Sequence, residues 1–441
     1  MRSLHRLATA IVPALGRRSL RLLAAVLVPA LGLAALLTPT PAGAVLCTLD
    51  NVPAATLLLP YFAVNLDDPD APTTLFTIAN ASAAAELAHV VLWSDVGIPT
   101  LAFDVYLTGY DVQSINLRDI FVSGHLPQTA PAPQDPGHTI SPRGPDSRDG
   151  AFDGCQRMPP ADLQGSFLAH LRAAHTGQPS PLLGGLCTGA DHQDNVARGY
   201  VTVDTVRYCS FSTPDDAGYF GPNGLATADN VLWGDYFYID SQHAYASGGT
   251  LVRIEADPTA FKKGDATFYE LFVGGSAADG REPLPTTWSS RFLSGGPFDA
   301  GSAVIVWREP PALAQPFPCG LLAKQGFPLS PASGTVFDEQ ETIEEPGPYC
   351  QFPQLCGAAA LAPGSYVANR TPMAASTYPV TFPFGWYVAS FNAATATNGF
   401  GRQAWLGTTL NAHQLISVGI AGTPLDSGCG ALAPLPQRVS Q

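Results

Sequence analysis

Apolar and polar residues alternate with a period of two along much of this chain. Leu101, Phe103, Val105 and Leu107 interleave with Ala102, Asp104 and Tyr106, the pattern of a strand with one buried face. Runs rich in β-branched and aromatic residues precede it at Thr73–Ala79 and Ala88–Ser94, and Val96-Gly97-Ile98-Pro99 predicts a hairpin turn between the last two strands. Further strands are predicted at Asp111–Leu117, Tyr200–Arg207, Val231–Ile239, Thr250–Glu255, Thr267–Val273, Ala303–Trp307, Gly385–Asn392, Gln403–Leu410 and Leu415–Ile420. One segment breaks the period. In Ala161–His175, Leu163, Phe167, Leu171 and Ala174 fall at helical spacing, with Asp162 placed to cap the start and Gly177 the end.

Short strands punctuated by 43 Gly and 41 Pro point to an all-β fold. The expected architecture is one or two β-sandwich-like modules with long Pro/Gly-rich, disulfide-tied loops and one short helix, residues 161–175. The expected division is a leader (1–44), an N-terminal β module (45–124), a Cys-bearing loop and helix insertion (125–199), a second β region (200–309), an irregular Pro/Cys-rich segment (310–372) and C-terminal strands completing a module (373–441). Leu92-Trp93-Ser94-Asp95 and Leu232-Trp233-Gly234-Asp235 form a faint internal echo.

The first 44 residues change the picture from fold to location. Arg2, Arg6, Arg17, Arg18 and Arg21 come first, then an uncharged apolar run from Leu22 to Leu37, then Ala42-Gly43-Ala44. Basic, apolar, small is the order of a cleaved signal peptide. Arg17-Arg18 leaves the general and the twin-arginine export routes both open. Leu46 before Cys47 speaks against a lipidated cysteine. The expected location is therefore extracellular or periplasmic, with no stable membrane insertion after processing.

The whole chain carries a formal charge of −14, and its three lysines are Lys262, Lys263 and Lys324. Such a chain is not expected to hold a nucleic-acid backbone by charge. Eight cysteines lie beyond the leader: Cys47, Cys155, Cys187, Cys209, Cys319, Cys350, Cys356 and Cys429. An even count in an exported chain reads as a disulfide framework. Cys350 and Cys356 are close enough to staple one loop, and Cys47 and Cys429 stand near the two ends. There is no C-x-x-C, which speaks against thioredoxin-like redox chemistry and zinc-ribbon spacing.

Catalytic motifs are sparse. Gly274-Gly275-Ser276-Ala277-Ala278 is the nearest approach to G-x-S-x-G, and no H-E-x-x-H occurs. His170 and His175, five apart on the predicted helix, are expected to face solvent. No resident cofactor is expected. Asp67, Asp68 and Asp70, with Asn65, form the one oxygen-rich cluster of a kind that takes Ca2+, and Asp338, Glu339, Glu341, Glu344 and Glu345 form a second acidic run. Asp235 and Asp240 flank Tyr236-Phe237-Tyr238, and Glu255 and Glu270 follow; a pair of these is what a glycoside-hydrolase-like enzyme would use. Aromatic platforms for a sugar would come from Trp93, Trp233, Tyr236, Trp288, Trp386 and Trp405, the ligand-binding set being Trp233, Asp235, Tyr236 and Trp288.

The stretch Thr56–Ile120 resembles the β-rich front part of exported bacterial proteins of unknown function. Gly199–Val206 (GYVTVDTV), Asn230–Tyr238 (NVLWGDYFY) and Arg281–Trp288 (REPLPTTW) resemble later parts of the same group. The resemblance implies a location and a fold class but no activity or site. The expected function is thus a non-catalytic exported protein that binds a surface, matrix or polysaccharide, or a structural envelope component, the alternative being a secreted hydrolase.

Overall fold

The computed structural model describes residues 51–127, 152, 155, 162–163, 165–293, 302–310, 312–320, 333–344, 366–373, 384–391, 403–412 and 416–426. Its strands are antiparallel and form two sandwich-like modules. In the first module the strands are β1 (Thr56–Asn65), β2 (Thr73–Asn80), β3 (Glu86–Ser94), β4 (Pro99–Leu107), β5 (Val112–Asn116), β6 (Leu186–Cys187), β7 (Val196–Val206), β8 (Leu232–Trp233), β9 (Asp235–Asp240), β10 (Tyr245–Thr250) and β11 (Val252–Ile254). One sheet runs β11-β1-β7-β3-β4; the facing sheet runs β10-β9-β2-β5, with β8 beside β2. Segments 45–124, 125–199 and 200–309 therefore share sheets.

β1 is buried on both faces through Phe62, which explains its continuous apolar run. Pro60 has no N–H to give the ladder, and the register with β7 shifts between Leu59 and Phe62. The two sheets are bonded to each other as well as packed: Ala63 N donates to Thr74 Oγ1 at 3.1 Å, and the buried Tyr238 hydroxyl donates to the Tyr61 carbonyl at 2.8 Å. The hairpin expected at Val96–Pro99 joins β3 to β4, and Gly97 takes the left-handed conformation (φ 88°) that its turn requires.

The second module holds β12 (Thr287–Leu293), β13 (Ser302–Arg308), β14 (Phe317–Pro318), β15 (Ser333–Phe337), β16 (Ile343–Glu344), β17 (Ala368–Met373), β18 (Phe384–Ser390), β19 (Ala404–Ala412), β20 (Ile416–Ala421) and β21 (Thr423–Pro424). Its sheets run β16-β15-β18-β12-β21 and β17-β13-β19-β20, while β14 pairs with β6 of the first module. Trp288 and Trp405 meet edge-on between the sheets at 6.5 Å. One apolar core runs through both modules, from Leu57 to Leu406. At the outer seam β20 lies beside β10, where Ala246 N donates to Ser417 Oγ at 2.9 Å.

Two disulfides tie the loops, Cys155–Cys209 and Cys187–Cys319. The second links the modules where β6 meets β14. Cys47, Cys350, Cys356 and Cys429, with their expected pairings, and residues 1–44, with the expected leader, lie outside the described residues. No helix among the described residues is long and apolar enough to cross a membrane.

Three local expectations need correction. Thr267–Val273 is not a strand: it is a loop that runs into the short helix Glu270–Val273. Tyr269 and Phe272 meet three residues apart, at 5.8 Å between ring centroids, which only a helical turn allows. The predicted helix is real but runs Gly165–Thr176 (α1), and Asp162 does not cap it; its carboxylate holds His125 Nδ1 at 2.5 Å. His175 does not face solvent. The stripe Leu171, Ala174 and His175 points into the core, and the imidazole lies between Phe62 and Phe121 at 5.4 and 4.8 Å.

Candidate functional site

The candidate site is the outer face of the β10-β9-β2-β5 sheet. In β9 the burial alternates: Tyr236 and Tyr238 point inward, and Phe237 points out. Directly opposed residues share a face in an antiparallel ladder. Phe237 stands opposite Leu75 of β2, Trp233 opposite Ala79, and Val112 of β5 opposite that same Ala79. All three side chains are exposed, at 46%, 42% and 55%. Trp233 and Phe237 are thus four β2 positions apart, about 13 Å along the strand.

Between the two rings lies a polar bridge. Thr77, on the same face of β2, donates its hydroxyl to Asp235 Oδ1 and receives the Asp235 amide at 3.2 Å. Ser114 and Thr250, across from Thr77 and Asp235, extend the polar strip to either side. The chain reaches this geometry through two glycines. A β-carbon on Gly234 would stand 2.0 Å from the Thr77 carbonyl oxygen, so only glycine lets β8 and β9 hug β2. On β10, a β-carbon on Gly248 would stand 2.8 Å from Phe237 Cδ1. A side chain at position 248 would therefore collide with the Phe237 ring, which is itself 46% exposed.

The surface is aromatic at two points and hydrogen-bonding between them. No protein-family model, curated protein or solved structure matches this chain. The site must accordingly be read from its own chemistry.

Of the ligand-binding set read from the sequence, Trp233 and Asp235 lie on this face. Tyr236 is inward and 7% exposed, and burial holds its hydroxyl pKa above the ordinary value. Trp288 is 1% exposed in the second module. Trp93 and Trp405 are core residues too, and Trp386 stacks under the Arg291 guanidinium at 4.7 Å. The echo of Trp93 and Trp233 therefore has no structural counterpart: one ring is in the core and the other in solvent. Phe237 and Val112 were missed as site residues. The signal for Phe237 was available, since inward Tyr236 and Tyr238 force it outward.

The four acids proposed for hydrolysis are dispersed. Asp235 and Asp240 sit at opposite ends of β9 and, five residues apart, on opposite faces. Asp240 caps the turn Ser241–His243 and holds His243 Nδ1 at 2.8 Å. Glu255 is buried beside Glu282, whose Oε1 accepts the Glu255 amide. Glu270 opens the Glu270–Val273 helix, its carboxyl pKa raised by burial and by Asp279.

At the oxygen-rich turn, Asn65 Oδ1 accepts the amides of Asp67 and Asp68, and Asp68 Oδ1 accepts that of Asp70. Asp67 Oδ2 accepts Asn195 Nδ2 at 2.7 Å. The carbonyls of Asn65, Asp68, Ala71 and Pro72 receive the Arg118 guanidinium. A fixed cation already occupies the inner side of this turn. Among the described residues, no three His, Cys, Asp or Glu side chains gather in a way that would hold a metal ion.

An aromatic crevice opens between the modules. Trp93 lies parallel to Tyr200 at 5.6 Å, Trp307 meets Tyr200 edge-on, and Phe268 stacks on Trp307 at 5.3 Å. These rings fill one another's faces, leaving a cavity of about 10 Å³, enough for one water. It is a packed seam.

Proposed function

We propose that this chain is an exported, non-catalytic binding protein that holds a neutral polysaccharide against the outer β10-β9-β2-β5 face. The observation that carries this reading is the pair of solvent-facing rings, Trp233 and Phe237, with the Thr77–Asp235 bridge between them. Sugar rings offer apolar C–H faces and a rim of hydroxyls, so they favour an aromatic plane beside hydrogen-bonding groups. Charge narrows the partner. With a net charge of −14 and no Lys or Arg among the face residues named above, a polyanionic glycan would be repelled.

Export rests on the leader reading, and two disulfides with no membrane-crossing helix among the described residues are compatible with it. The hydrolase alternative needs two carboxyls facing each other across a cleft, whereas Asp235 and Asp240 lie on opposite faces of one strand. The test is co-sedimentation of the purified mature protein with insoluble neutral polysaccharides, chitin and cellulose first. Trp233→Ala and Phe237→Ala should each weaken binding while leaving the melting transition in place. Release of soluble sugar over hours would instead support the hydrolase.

A further inference from the structure

His89 is fully buried in β3, and both of its ring nitrogens face acceptors. Nδ1 lies 2.7 Å from Asp104 Oδ1 on β4, and Nε2 lies 2.8 Å from the carbonyl oxygen of Ser212. A carbonyl oxygen only accepts, and an ionised carboxylate only accepts. Satisfying both contacts takes a proton on each nitrogen, so the geometry calls for an imidazolium. Asp104 uses its second oxygen to hold the same loop, accepting the Ser210 amide at 2.8 Å. The segment Ser210–Ser212 is therefore gripped twice, by the two members of one ion pair.

The surroundings suit a local release. The segment carries Phe211, 56% exposed, and follows Cys209, whose disulfide to Cys155 anchors its start. Cys209, just before it, packs against a small cluster separate from the main core, formed by Leu87, Tyr106, Cys155, Val206, Tyr219, Leu225 and Ala226. A segment that buries no large apolar side chain opens at lower cost than the whole fold. The other ionisable groups facing His89 are Asp204, directly across on β7, and Tyr219, whose ring lies 5.8 Å away. Asp204 is itself bound to Arg281, Tyr219 and Tyr269. Burial alone would lower the His89 pKa; the Asp104 bond and charge, the Ser212 carbonyl and the Asp204 charge outweigh it and hold it above the ordinary value.

We propose that His89 is a proton-operated latch: as the imidazolium it clamps Ser210–Ser212 to β3 and β4, and loss of the Nε2 proton to solvent frees that segment. The neutral ring, keeping Nδ1–H toward Asp104, turns a lone pair toward the Ser212 carbonyl, so attraction becomes repulsion. The released segment carries Phe211.

The test follows the native protein, labelled with nitrogen-15 in histidine, by NMR from pH 5.5 to 9. Both His89 nitrogens should be protonated at pH 6.5. As Nε2 loses its proton, exchange of the Ser210 and Ser212 amides should accelerate by roughly tenfold to a hundredfold beyond the intrinsic pH trend. The amides of β12 and β18 should follow the intrinsic trend alone. In His89→Gln the pH step should vanish; if that variant does not fold, the native titration alone decides. A singly protonated ring at pH 5.5 to 6.5 with the segment still protected would overturn the proposal. So would a ring that deprotonates while both amides keep their protection.

Discussion

The ring of Phe237 lies across Gly248, where a β-carbon would come within 2.8 Å of its Cδ1. The glycine is what leaves room for this exposed aromatic ring. Gly248→Ala should lift the ring and crowd the Tyr236 carbonyl, 2.6 Å from the same position. The expected cost is about 1–3 kcal/mol of stability, read by urea unfolding. Polysaccharide binding should fall further than the loss of folded protein explains.

Asp204 is 0% exposed and holds four partners: Thr56 Oγ1, Tyr219 OH, Tyr269 OH and Arg281 Nε. It ties β1, β7 and the Tyr219 and Tyr269 segments to one point. Asp204→Leu leaves the Arg281 guanidinium, 2% exposed, as a buried charge without its counter-ion. About 3–5 kcal/mol should be lost. The double variant Asp204→Leu/Arg281→Met should lose less than the sum of the single variants, and a double-mutant cycle by urea unfolding measures the difference.

Two buried groups should pull stability in opposite directions as pH changes. Burial pushes the His175 pKa from 6.5 down to about 4. The unfolded chain thus takes up a proton that the folded one refuses as pH falls from 6.5 to 4, and stability drops by up to about 3 kcal/mol. Glu86 shifts the other way: burial and the Asp229 charge raise its carboxyl to about 8. Its contribution is complete below pH 4.5 and is lost as pH rises to 8. Between pH 4.5 and 6.5 the two slopes oppose each other, so the native urea midpoints should be nearly level there and fall from pH 6.5 to 8; Glu86→Gln should remove the fall and uncover the rise due to His175 between pH 4.5 and 6.5.

The Cys187–Cys319 bridge closes 132 residues and the Cys155–Cys209 bridge 54. Loop-closure entropy assigns them about 5 and about 4 kcal/mol. Replacing Cys187 and Cys319 by serine should lower the melting temperature more than the same change at Cys155 and Cys209, by differential scanning calorimetry without reductant.

Much of the architecture was legible because burial follows period two. The runs at Thr73–Ala79 and Ala303–Trp307 became β2 and β13 within a residue, since cross-strand packing leaves little choice of register. Thr267–Val273 misled because a β-rich composition cannot reveal that Tyr269 and Phe272 will meet at helical spacing. His175 misled because its apolar neighbours, Phe62 and Phe121, are far away in sequence. At the candidate face, Trp233 and Asp235 were legible as an aromatic and an acid at a strand end. Tyr236 was the wrong aromatic, since the choice of face rests on which side of β9 meets Tyr61. Trp288 belongs to a different sheet, which no local pattern discloses.

Binding of the protein without residues 1–44 to insoluble neutral polysaccharide, titrated for the native sequence, Trp233→Ala and Phe237→Ala, tests the account most directly. Saturable binding by the native chain, weakened roughly thirtyfold by either substitution at unchanged fold, is the expected result, corresponding to about 2 kcal/mol per ring. Binding that both variants retain in full, or no binding by the native chain to any neutral polysaccharide, would contradict it.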